Sequence, residues 1–111
     1  MSRKGIGEFE ELVLLAIAIL HKEAYGVVIK EEITQRSGRK VSIGALQTAF
    51  RRMEDKGYLK SYFGEATAVR GGKRKKYYEL TGHGSSALQQ VRELRQSMWS
   101  AIPATVLKNF E

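Results

Sequence analysis

The sequence predicts a mainly α fold of the α+β class: three short helices, then one β-hairpin, then a long final helix. Two observations carry most of that prediction. Apolar residues recur at helical spacing over residues 9–21, 25–37, 42–57 and 82–102. The period changes to two over residues 58–63 and 76–80, on either side of a stretch rich in glycine and positive charge. A third is the single proline, Pro103, which falls where the last helical pattern stops.

The chain has 111 residues, enough for one domain with a modest core and short for an enzyme with a deep pocket. Its hydrophobic fraction of 42%, with Trp and Tyr present, argues for a folded chain. A formal net charge of +7 and a sequence pI near 9.8 make a polyanionic partner the first to consider. There is no cysteine, which excludes disulfides, thiolate metal sites and cysteine catalysis and fits a reducing cytoplasm. Residues 12–20 are very apolar, but far fewer than the ~20 that a membrane span needs. They follow Glu8, Glu10 and Glu11, whereas a signal peptide has a basic leader. The chain therefore reads as soluble and cytoplasmic.

Residues 1–8, with Arg3, Lys4, Gly5 and Gly7, read as a mobile basic arm. In the first helix Phe9, Leu12, Val13, Ala16, Ile17 and Leu20 form one apolar stripe. Leu14, Leu15, Ala18 and Ile19 make the other side nearly as apolar. A helix apolar all round needs cover on both sides, and a second subunit is the simplest source. The second helix follows the turn Ala24-Tyr25-Gly26 and buries Val27 or Val28 with Ile29 and Ile33.

The third helix is the best specified. Leu46, Ala49, Phe50 and Met53 share one face, and Ser42 is placed to cap its first turn. Val41 and Leu46 take the positions of a hydrophobic staple, and Gly57 can take the left-handed conformation that stops a helix. Ser42, Gln47, Thr48, Arg51, Arg52 and Asp55 fall on the opposite face, and Gly44 and Ala45 leave room for close backbone approach. Taken alone this is equally an ordinary amphipathic helix, with Arg51 or Arg52 paired to Glu54 or Asp55.

The hairpin strands are joined by GEATAVRGGKRK, in which Arg70, Lys73, Arg74 and Lys75, with Lys76 after them, put five cations into seven residues. Such a run is either a solvated loop or an anion-binding wing. Thr81 is placed to cap the final helix, about 30 Å long at its rise per residue. Its seam of Ala87, Leu88, Val91, Leu94, Met98 and Ile102, with Trp99 at the edge, exceeds what the other helices can cover. It is expected to pack against the first helix and against a second copy of itself.

This order is that of a winged helix-turn-helix (residues 9–81) with a long C-terminal dimerisation helix (82–103) and a tail (104–111) without interpretable pattern. In such a fold the third helix enters the major groove, and phosphates supply affinity while base edges supply specificity.

The chain resembles the PadR family of transcriptional regulators over roughly residues 9–100. The resemblance rests on Tyr25-Gly26, on Ser-x-Gly-x-Leu at Ser42, Gly44 and Leu46, and on Arg51-Arg52-Met53-Glu54 with Gly57. The wing ending Gly-Gly-Lys-Arg-Lys-Lys-Tyr-Tyr and Thr81-x-x-Gly84 complete it. It implies a dimeric repressor that binds a double-stranded operator and is released by a small aromatic or drug-like effector.

Carried over by position, Gly44, Ala45, Gln47, Thr48 and Arg51 lie on the recognition helix, while Tyr25, Lys73, Arg74 and Lys76 contact phosphates. Trp99 would stand in a central pore lined also by Phe9, Leu12, Leu15 and Met98; the alternative is simple core packing. The sequence departs from the family at the reading positions. Leu46-Gln47-Thr48 stands where Leu-Tyr-Pro is common, Ala45 replaces a usual threonine, and His83 occupies a position more often small or acidic. Gln still suits adenine.

A second reading remains open, a winged-helix protein-interaction module without nucleic acid. No enzyme is expected, because no nucleophile–base constellation stands out, and neither cofactor nor metal is implied.

Overall fold

A computed structural model describes residues 5–64 and 74–108. Helix α1 (Glu8–Leu20) begins where the Glu10 carboxylate reaches back to accept the Gly7 amide at 3.0 Å. Its first turn is acidic, which suits the positive end of the helix dipole. A single 3-10 turn, His21–Glu23, follows, and His21 has φ 53°. Helix α2 (Gly26–Ser37) starts one residue later than the sequence suggests, because Tyr25 is extended and sits at its N-cap. Gly38, at φ 74°, ends it.

Helix α3 (Ile43–Asp55) is capped as expected, with Ser42 Oγ accepting the Ala45 amide at 3.0 Å. Gly57, at φ 80°, turns the chain out of it. Strands β1 (Leu59–Phe63) and β2 (Lys76–Leu80) pair antiparallel, with Leu59 opposite Leu80 and Phe63 opposite Lys76. Tyr25 bridges to Tyr77, and the Tyr78 amide donates to the Ala24 carbonyl at 2.9 Å. The hairpin is thereby laced to the start of α2.

Helix α4 (Gly82–Ala101) is capped by Thr81, whose hydroxyl accepts the Gly84 amide at 2.9 Å and donates to the Gly57 carbonyl. A four-residue helix, α5 (Ala104–Leu107), follows Pro103 where the sequence offered no pattern; proline is well suited to a helix start. The core gathers Val13, Leu14 and Ile17 of α1, Ile29 of α2, and Leu46, Phe50 and Met53 of α3, all essentially inaccessible. Phe50 stacks on Tyr78 with ring centroids 4.0 Å apart, which fastens the sheet to α3. Of the two candidates in α2, Val28 is half-buried and Val27 is exposed.

Residues 5–7, expected within a mobile arm, are tied down. Lys56 Nζ donates to the Gly5 carbonyl at 3.2 Å and to Glu10 Oε1 at 3.0 Å, and Ile6 packs against the core. Burial pushes the Glu10 carboxyl pKa up. The Gly7 amide, the Lys56 ammonium and the charge of Arg52 outweigh it and hold the group below its ordinary value.

Helix α4 meets α1 along its middle, where Leu88, Arg92 and Arg95 face Glu11 and Leu15. Arg95 grips Glu11 through two hydrogen bonds of 2.7 and 3.1 Å, and the charge of Glu11 raises the guanidinium pKa further. Beyond it Met98 and Trp99 are 63% and 62% exposed. No described helix is long and apolar enough to cross a membrane.

Candidate nucleic-acid interface

The burial of α3 is cleanly two-sided. Leu46, Ala49, Phe50 and Met53 are buried, whereas Ser42, Gly44, Ala45, Gln47, Thr48, Arg51, Arg52 and Asp55 are all exposed. The Ser42 hydroxyl is committed to the helix cap. Nothing lies within 4 Å of where a Gly44 side chain would begin, so the first turn is open to a ligand surface. Arg51 and Arg52 form no ion pair with Glu54 or Asp55 among the described residues. Glu54 instead accepts from Ser61 Oγ at 2.9 Å. Burial, and next the charge of Glu54, raise the Tyr78 pKa.

Arg74 and Lys76 are exposed at the root of the wing, while Arg70 and Lys73 lie outside the described residues. Lys76 Nζ lies 5.9 Å from the Phe63 ring centroid and 5.8 Å from that of Tyr78. Tyr25 is half-buried, edge-on to Tyr77 at 5.4 Å, and Tyr77 stacks on Tyr62 at 5.6 Å. Lys75, absent from the residues carried over by resemblance, lies over the Tyr25 ring at 4.4 Å from its centroid. The run of cations in the sequence shows its charge but not this partner.

The apolar residues expected around a pore are not gathered within one chain. Phe9 packs on the core beneath the Arg39 guanidinium, 5.6 Å from its ring centroid. Leu12 and Leu15 line a groove of about 200 Å³ with Ala16, Ile19 and Ile33, roofed at one end by the Glu32–Arg36 ion pair. Leu15 also borders a cleft of about 470 Å³ with Leu88, Arg92, Arg95 and Gln96. Met98 and Trp99 line neither. Among the described residues no cluster of His, Asp or Glu could hold a metal ion.

A capped helix with one free polar face, a laced hairpin with a basic root and a projecting last helix define a winged helix-turn-helix regulator. Residues 14–90 match the model of the transcriptional regulator PadR-like family, and the chain belongs to that family, one of regulators rather than enzymes. It is 33% identical over 87 residues to an uncharacterized protein X of Lysinibacillus sphaericus, covering 77% of this chain and 75% of that one. A PadR family transcription regulator of Clostridium difficile superposes with a TM-score of 0.66 at 28% identity, over 83% of this chain and 92% of that one. A PadR-like transcriptional regulator of Bacillus cereus shares the fold, with a TM-score of 0.70 at 21% identity, over 91% and 92% of the two chains.

Proposed function

We propose that this chain is a dimeric, cytoplasmic, sequence-specific DNA-binding regulator that acts as a repressor. The observation that carries the reading is the face of α3. Gly44, Ala45, Gln47, Thr48 and Arg51 are exposed together on a helix whose other side is locked into the core. Such a helix can enter a major groove, with Gln47 and Arg51 able to hydrogen-bond base edges and Gly44 and Ala45 close to the backbone. Arg74 and Lys76 are exposed at the root of the wing and pair with no carboxylate among the described residues, which suits them to phosphates.

Dimerisation is supported by apolar surface that one copy leaves open: Leu15 and Ile19 on α1, and Leu94, Met98 and Trp99 on α4, each 40–63% exposed. A two-fold partner would cover α1 with the projecting end of α4. An aromatic effector near Trp99 belongs to the same reading, since any enclosed site there needs the second copy. Titrating planar aromatic compounds against Trp99 fluorescence tests it; no quenching across a broad panel would remove the effector and leave DNA binding standing.

The experiment for the main reading is fluorescence anisotropy with duplex DNA across a salt series. With roughly six phosphates neutralised, log K falls with log salt at a slope near −5. Binding that ignores salt, or survives joint replacement of Lys73, Arg74 and Lys76, would overturn it. A protein partner captured without any DNA shift would favour an interaction module instead.

A further inference from the structure

We propose that Lys75 is a phosphate-binding residue of the wing, and that Tyr25 acts as its positioning residue by holding the ammonium over its ring. This rests on the DNA-binding reading above and changes the part Tyr25 plays in it. Lys75 Nζ stands 4.4 Å from the Tyr25 ring centroid and 3.4 Å from the Tyr25 hydroxyl. Tyr77 meets the Tyr25 ring edge-on at 5.4 Å, and Tyr62 in turn stacks on Tyr77. The backbones are pinned. Tyr25 bridges to Tyr77, and the Lys75 carbonyl accepts the Gly64 amide at 2.8 Å.

The chemistry of the partner decides what this arrangement is for. A carboxylate would hold Lys75 equally well but would cancel its charge. Among the described residues Lys75 pairs with no carboxylate. An aromatic face attracts the ammonium through its quadrupole and leaves the full positive charge available to an anion. A lysine otherwise loses considerable rotamer freedom when it binds, and a side chain already held loses less. Lys75 and Lys76 project from opposite faces of the hairpin, so the wing root offers a cation on each side. Lys75 is the one beside the start of α2, against the N-cap residue Tyr25.

The test is a double-mutant cycle read on DNA affinity and on its salt dependence, with Lys75→Gln, Tyr25→Leu, Tyr25→Phe and the Lys75→Gln/Tyr25→Leu pair. Lys75→Gln, at an exposed site, should weaken binding about five- to tenfold near 0.1 M salt and reduce the salt slope by about one. Tyr25→Phe, which keeps the ring and loses only the hydroxyl 3.4 Å from Lys75 Nζ, should cost less than Tyr25→Leu. Tyr25→Leu should weaken binding about threefold alone and have no further effect once Lys75 is Gln. An unchanged slope in Lys75→Gln, with wild type binding normally, would overturn this proposal alone. So would an equal cost of Tyr25→Leu in both backgrounds, because that is what a structural tyrosine does. Salt-independent or absent binding by the wild type would overturn the DNA-binding reading first and this one with it.

Discussion

Gly84 faces the carbonyl of Tyr58 so closely that a side-chain β-carbon on it would lie 2.1 Å from the Tyr58 oxygen. The same oxygen accepts the Thr81 amide at 3.0 Å, so the start of α4 is pressed onto the chain just after α3. The contact fixes where the long helix leaves the helix-turn-helix and its hairpin. It explains in physical terms why a glycine stands three residues after the Thr81 cap.

Replacing Gly84 by Ala should therefore destabilise the fold by about 2–3 kcal/mol, because backbone rather than a flexible side chain must move. Gly82, with nothing within 4 Å of its would-be side chain, is the control. Gly82→Ala should change stability by no more than about 1 kcal/mol, in the stabilising direction. Urea unfolding of the two variants, side by side, checks both.

At Gly44 stability and function should separate. The position is exposed in the first turn of α3 and sterically open. Gly44→Ala should leave the fold as stable as wild type or more so by up to about 1 kcal/mol. DNA affinity should nonetheless fall at least severalfold if the backbone approaches the duplex there. Thermal unfolding together with anisotropy measures the two effects on one sample.

Acid should loosen the tie between the start of α1 and the end of α3. Glu10 holds its pKa below the ordinary 4.5, through the Gly7 amide and Lys56 against the opposing effect of burial. A depressed carboxyl contributes stability that is present above its ordinary pKa and lost as pH falls through its folded value. Wild type should therefore lose stability from about pH 5 downward more steeply than Glu10→Gln. At neutral pH that variant should be less stable by about 1–2 kcal/mol. Unfolding midpoints across pH give the comparison, and parallel curves for the two proteins would contradict it.

Met98→Glu should leave the monomer folded, since the side chain is exposed and outside the core, while abolishing self-association. Sedimentation velocity reads the mass directly. A variant that remained a dimer would show that the end of α4 is not the interface.

Local chemistry was legible in the sequence. Ser42 and Thr81 cap the helices they precede, Gly57 takes its left-handed turn, and the α3 stripe from Leu46 to Met53 is buried as its spacing requires. Relationships between distant residues were not. Lys75 finds Tyr25 fifty positions away, and Lys56 reaches Gly5 across fifty-one, through packing that no spacing rule encodes. Helix α5 was missed because four residues are too few for a period. The residues expected around a pore do not come together within one copy. Leu12 and Leu15 face a groove, while Met98 and Trp99 are exposed and do not line it.

The central claim is that the exposed face of α3 reads duplex DNA, and selection of bound sequences from a random duplex pool tests it most directly. The account predicts enrichment of an inverted repeat with half-sites about one helical turn apart, lost when Gln47 and Arg51 are both replaced by Ala. A pool that emerges unenriched, or an enriched sequence bound equally well by the Gln47→Ala/Arg51→Ala variant, would contradict it.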